Sequence, residues 1–384
     1  MRPCIYCRKP FPDNQFTLEH VIPQFLGGAQ APDELKTRDV CSTCNNNLGL
    51  FVDAAFEKDF LVYNELKESA YKFFDPEKPV ALPLICMGIS DLKPPNMQED
   101  EICESWLGPL GEQIYWIRPK DERMYWYSGG NPRTVKKVQS RAYFMFSERS
   151  QKNVLISWLA FKDAFIDRRV KKIMCTRVEG ADLKTIGFSD PDEIDNLRIQ
   201  YITNKCREGK ERNNNISMYI YHDRRFMAKL ALGISHVLFG SKIGNSGYGE
   251  ELHKALWFKE GNAEPNVRYL GAFSNSNNLL KEHSGIAGGV TITILPIYEE
   301  VIINLNLNKK MNWMVVCTKL KYLTKEQIEK LGDGICIVLF KSLNKGLRLT
   351  LPELINHNLG NLQNSDLAAI EQIYNAHMDY FKDL

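Results

Sequence analysis

Long apolar runs are missing from this chain. No stretch of about 18 consecutive apolar residues occurs, so no membrane-spanning helix and no membrane partner are expected. The N-terminus, Met1-Arg2-Pro3-Cys4, has no apolar core of the kind that a secretory signal carries. A cytoplasmic location is therefore expected, with cysteines reduced or metal-bound and not paired in disulfides. An excess of one charge is also missing: the formal net charge is +2. No global basic field announces a nucleic-acid binder, although binding needs only a local basic face. Internal repeats and low-complexity tracts are absent. The glycine-rich run Gly244 to Gly249 lacks the GK[ST] ending of a phosphate loop and reads as a flexible loop. His222, His236, His253, His357 and His377 have no ligand spacing between them and read as structural.

What is present fits a globular protein of two or three domains: 384 residues, 44% of them apolar and 25% charged. Residues 1 to about 50 are turn-rich and hold four of the ten cysteines. From Asn45 to about Phe74, Leu48, Phe51, Val52, Ala55, Phe56 and Phe60 recur at helical spacing. Residues 75–100, spaced by prolines, read as a linker. Residues 101–384 read as a mixed α+β region. Its expected helices are Val154 to Val170, Arg224 to Phe239 and a C-terminal one from an N-cap at Ser365. Leu155, Trp158, Leu159, Ala164 and Phe165 are candidate core positions of the first. Val290 to Leu295 and Val301 to Leu307 alternate at period two and suggest an antiparallel pair.

Cys4-x-x-Cys7 and Cys41-x-x-Cys44 are two knuckles that each present two thiolates to one ion. Together they make a Cys4 site for structural zinc, whose binding supplies folding free energy that a small module lacks. The other six cysteines are scattered without pairing. A redox CxxC would need only one knuckle in a thioredoxin-like βαβ setting, which is not visible. Between the knuckles lie Leu18-Glu19-His20-Val21-Ile22-Pro23 and Gly27-Gly28. Directly after the second come Asn45 and then Gly49.

In these residues, their order and their spacing, the N-terminal region resembles the HNH endonucleases, especially zinc-bearing members. The resemblance implies a ββα-metal fold for the N-terminal zinc module (residues 1–74); with the linker (75–100) and the larger α+β domain with antiparallel strands (101–384) read above, the expected architecture is α+β. It implies that Glu19 binds a catalytic Mg²⁺ or Mn²⁺, that His20 is the general base, and that Asn45 offers its amide oxygen to the same ion. Phosphodiester hydrolysis needs those types: an imidazole to take a proton from water, and oxygen ligands for a hard cation. Adjacent strand residues point to opposite sides, so Glu19 and His20 serve one site only if the strand bends or the phosphate straddles it; the resemblance implies a distorted hairpin. Three departures stand out. Glu19 replaces the commoner Asp. Leu35, Lys36 and Thr37 occupy the stretch where the family's middle Asn orients the histidine. Asn46 and Asn47 compete with Asn45.

The expected function is DNA cleavage, with RNA left open, controlled by the C-terminal region in a bacterial restriction or antiphage setting. The controlling signal would be a small nucleotide, a modified base or an Argonaute-like partner protein. The alternative is a catalytically inactive, zinc-dependent nucleic-acid-binding protein. Three basic clusters could track a phosphate backbone: Arg133, Lys136, Lys137 and Arg141; Arg168, Arg169, Lys171 and Lys172; and Arg224, Arg225 and Lys229. Trp116, Tyr125, Trp126 and Tyr127 could stack on bases. For each of these, a solvated face or a core aromatic is the simpler reading.

Overall fold

The computed structural model describes residues 1–121, 127–177, 182–219, 221–272, 278–377 and 379–383. The chain forms two compact units. One combines Met1–Glu57 with Ile220–Ala376; the other combines Lys58–Tyr219 with His377–Leu384. These units divide the chain differently from the boundaries at 74/75 and 100/101 read from the prolines. Residues 75–100 contain a strand, Ile85–Ser90, that belongs to the sheet of the second unit. Among the described residues no helix is long and apolar enough to cross a membrane.

The first unit begins with the ββα arrangement. A hairpin of Phe16–His20 and Lys36–Cys41 leads directly into the helix Ser42–Leu48. The helical path continues through a π-turn, Gly49–Asp53, and ends with Ala54–Glu57. The next helix, Phe60–Lys72, is already part of the second unit and begins from an Asp59 N-cap whose side chain accepts from Leu61 N. The expected single helical run is thus broken, because Asp59 satisfies a new set of orphan amide donors.

The long helix Tyr221–Phe239 is buried almost all round, as the absence of a polar stripe requires. One face lies against Met311–Lys319, in a sheet ordered Tyr269–Leu270, Met311–Lys319, Glu300–Leu307, Val290–Ile297, Ile335–Phe340, Lys345–Thr350. All its pairings are antiparallel. Phe56 stacks on Phe226 of the long helix at 4.1 Å and meets Trp313 edge-on at 5.1 Å. The first 57 residues therefore share a core with this helix and sheet. The period-two alternation is present, but its polar positions are not solvated. Thr291, Thr293, Asn304 and Asn306 are all buried, and Asn304 and Asn306 donate to Ser284 Oγ and the Lys281 carbonyl.

The second unit is built on a six-stranded sheet, Asn214–Asn215, Ile85–Ser90, Glu101–Leu107, Gln113–Pro119, Ser140–Met145, Val170–Met174. Only the last pair is parallel. The helix from Val154 stops at Asp163, short of the expected Val170. Ala164 turns extended and Phe165 takes a left-handed φ of 59°, so that the chain can enter the edge strand. Leu155 is exposed, and Ile156, Ala160 and Phe161 fill the core. The buried bond from Ser157 Oγ to Glu112 helps turn that face inward. The C-terminal helix does start at Ser365, but Asn364 Oδ1 accepts from Asp366 N and Leu367 N and is the cap.

Candidate active site and metal centre

The two cysteine knuckles meet. Cys4, Cys7, Cys41 and Cys44 place their sulfurs within 4.8 Å of one another, the only such cluster of possible metal ligands among the described residues. Tetrahedral Zn–S bonds of roughly 2.3 Å put sulfurs about 3.8 Å apart. The donor set fits that ion. Backbone geometry builds the cradle. Arg8, at a left-handed φ of 60°, closes the first knuckle through its N–H on the Cys4 carbonyl. The amide of Cys41 points at Cys4 Sγ and that of Cys44 at Cys41 Sγ, each at 3.4 Å. A hydrogen bond from Cys44 pulls the Cys4 thiol down to about 4 and pushes Cys44 up. Sulfurs held this close cannot all be anionic unless a cation neutralises them.

The hairpin carries a bulge just ahead of Glu19, and Glu19 and His20 then pair in regular register with Thr37 and Lys36. Thr17 pairs with Val40 but Glu19 pairs with Thr37, so the returning strand holds one extra residue. This bulge changes which way the next side chains face. Glu19 is 4% exposed. His20 is half-buried, with Nδ1 3.4 Å from the Gly28 carbonyl. Two glycines put the carbonyl there. Gly27 has a φ of 94°, and a Cβ on Gly28 would lie 1.7 Å from the Ile22 carbonyl oxygen.

Asn45, on the first turn of the helix, donates through Nδ2 to Thr17 Oγ1 and to the Leu18 carbonyl, each at 2.9 Å. Both amide hydrogens are thereby used, and Oδ1 faces the other way. Asn46 and Asn47 are exposed and make no such bonds. The helix start is thus tied to the strand immediately before Glu19. Residues 4–61 match the family model described as HNH endonuclease. The N-terminal module is an HNH endonuclease domain. No curated protein and no solved structure matches the chain.

Around this HNH domain the structure adds residues from far along the chain. Lys229, on the long helix, places Nζ 2.9 Å from Glu19 Oε1 and 2.6 Å from Asp53 Oδ2; its side chain is 3% exposed. Burial works against the ammonium, but Asp53 and Glu19 outweigh it and raise its pKa. Burial pushes Asp53 up to about 6 despite the lysine. Tyr6, between the first two cysteines, donates from its hydroxyl to Glu19 Oε1 at 3.4 Å. Gly233, one turn beyond Lys229, lets the helix approach: a Cβ there would sit 2.7 Å from Val21 and 3.0 Å from Tyr6 Oη. His236 Nε2 lies 2.7 Å from Asp39 Oδ2.

The sequence signal for Lys229 was its place inside Phe226-Met227-Ala228-Lys229-Leu230-Ala231-Leu232, because a charge in an apolar run must find a partner. Grouping it with Arg224 and Arg225 as a phosphate-tracking cluster pointed elsewhere. Arg224 pairs with Glu264, and Arg225 donates to the Leu256 carbonyl. Within the second unit, Arg141 and Lys171 are both held by Asp192 and Asp195. Lys172 is buried against the Phe161 and Lys162 carbonyls, and burial lowers its pKa to about 8. Trp116 and Tyr127 are core residues. Tyr125 and Trp126 lie outside the described residues.

Proposed function

We propose that this chain is a metal-dependent endonuclease that hydrolyses phosphodiester bonds of DNA. The observation that supports this reading is the bulged hairpin of the HNH domain, which carries Glu19 and His20 side by side and to which Asn45 is hydrogen-bonded. His20 is the general base. With Nδ1 donating to the Gly28 carbonyl, Nε2 is left as the acceptor for a proton from the attacking water. Glu19 and the Oδ1 of Asn45 would hold a Mg²⁺ or Mn²⁺ ion. When bound, that ion supplies charge stabilisation to the phosphate and the departing 3′ oxygen. Zinc on Cys4, Cys7, Cys41 and Cys44 has a structural part, fixing the start of the helix that bears Asn45.

In this proposal the remainder of the chain controls cutting in a restriction or antiphage setting, with a small nucleotide, a modified base or a partner protein as the signal. The size of the unit spanning residues 58–219 supports a task beyond hydrolysis. A second reading has its own observation. Lys229 already neutralises Glu19, as it would in a zinc-dependent nucleic-acid-binding protein that does not cut.

The test is cleavage of plasmid and single-stranded DNA in Mg²⁺ and in Mn²⁺, comparing wild type with His20→Ala, with zinc content measured on both. Cutting by wild type that falls by about 10²–10⁴-fold in the variant at equal zinc is expected. Equal cutting by both would remove His20 from its role. If neither cuts while both still bind DNA, the binding-protein reading stands instead.

A further inference from the structure

The long helix presents Phe226, Lys229, Gly233 and His236 to the HNH domain, three or four residues apart and so on one face. Three of these contacts are packing or a half-buried hydrogen bond. The fourth brings an ammonium to the carboxylate assigned to the catalytic ion. Both contacts that Glu19 receives, from Lys229 and from Tyr6, fall on Oε1. Oε2 has no protein partner among the described residues.

Asp53 is placed by the π-turn. At about 100° per residue, a regular α-helix would put it roughly 80° around the axis from Asn45. A π-turn accommodates one extra residue, which brings Asp53 to within about 20° of the Asn45 face. The widened turn therefore aligns Asp53 with the metal-ligand face. Its Oδ2 is on Lys229, and its Oδ1 is buried with no hydrogen-bond partner.

We infer that Lys229 is a positioning residue of the nuclease centre, with Asp53 as its counter-ion. This rests on the proposed endonuclease reading. The ammonium grips Oε1 so that Glu19 offers one oxygen, Oε2, to the divalent ion. It also cancels the charge of Asp53, which would otherwise draw the ion toward itself and away from Asn45 and His20. Lys229 touches neither substrate nor ion. It acts through Glu19.

The consequence separates positioning from simple support of the fold. Lys229→Met leaves two carboxylates without their cation, so Mn²⁺ binds more tightly, by about tenfold. Cleavage nevertheless slows by about a hundredfold in kcat, because the ion is misplaced. In Lys229→Met/Asp53→Asn the extra attraction is gone. Mn²⁺ affinity falls back to the wild-type value or below, while cleavage stays slow. Lys229→Arg retains part of the activity.

The experiment uses the full-length, zinc-loaded chain. Mn²⁺ titrations are followed by electron paramagnetic resonance, together with plasmid cleavage kinetics and urea unfolding, for wild type, these three variants and Glu19→Gln. Tighter Mn²⁺ binding with slower cutting in Lys229→Met supports the inference. Wild-type rates in the double variant overturn it and leave the endonuclease reading intact. Weaker Mn²⁺ binding and early unfolding in both Met-bearing variants overturn it as well, because they assign Lys229 to the fold alone. Should wild type not cut at all, the endonuclease reading fails. The Mn²⁺ site, identified by its loss in Glu19→Gln, then decides the inference: tighter binding in Lys229→Met supports it, and unchanged binding or no Mn²⁺ site overturns it.

Discussion

A single methyl group measures how tightly the histidine is held. Gly28 packs so closely on the Ile22 carbonyl that Gly28→Ala must displace the turn. The carbonyl beside His20 moves with it. We expect Gly28→Ala to lose most cleavage while keeping zinc, read by nicking assays and metal analysis in parallel. Titration offers a second residue-scale prediction. Burial lowers the His222 pKa from 6.5 to about 4. Between those values the unfolded chain takes up the proton and the folded chain does not, so His222 costs stability as pH falls from about 6.5 towards 4. Burial raises Asp59 from 3.8 to about 6, which costs stability in the opposite direction, as pH rises through that range. The comparison must therefore isolate the histidine. The urea midpoint should drop less between pH 7 and pH 5 in His222→Gln than in wild type; an equal drop would remove His222 as a cause.

Elements are fixed here by pairing buried charges as well as by apolar faces. In the second unit Arg118 and Glu104, on neighbouring strands, form an ion pair with side chains 1% and 3% exposed. Glu104 also accepts from Trp106 Nε1 and Gly129 N. Arg118→Met leaves that carboxylate buried without its cation, and a loss of about 3–5 kcal/mol is expected in chemical unfolding. At the C-terminal helix the cap is Asn364, one residue before the expected Ser365. Ser365 and Asn364 are both good capping types, and only the bonds from Asp366 N and Leu367 N choose Asn364. Asn364→Ala should cost about 1 kcal/mol, and Ser365→Ala clearly less.

At the scale of the molecule, the HNH domain is not a free-standing module. Phe56 packs against Phe226 and Trp313, and Glu19 against Lys229. A fragment of residues 1–74 lacks all three of those partners. We expect it to bind zinc through the four cysteines yet to melt early and not to cut, whereas the full chain retains its fold until zinc is stripped. Circular dichroism and cleavage assays on the fragment and on the chelator-treated full chain test this. A fragment that cuts at the full-chain rate would show that the downstream helix is dispensable.

The sequence by itself determined the four-cysteine frame and pointed to Glu19, His20 and Asn45 as the site to test, because knuckle spacing and neighbouring side-chain types are local properties of the chain. It also determined the long helix and the central hairpin of the first sheet, whose periodicities persist over many residues. Tertiary structure alone decided the rest. The Gly28 carbonyl reaches His20 only because a left-handed glycine and a close-packed one fold the segment back. The polar positions of Val290–Ile297 and Glu300–Leu307 alternate like a solvated face yet are covered. Lys229 and Asp53 lie 176 residues apart, and no local pattern encodes that meeting. What brings them together is the burial of apolar surface around Phe56 and Phe226, and once these charges are buried they must pair with one another.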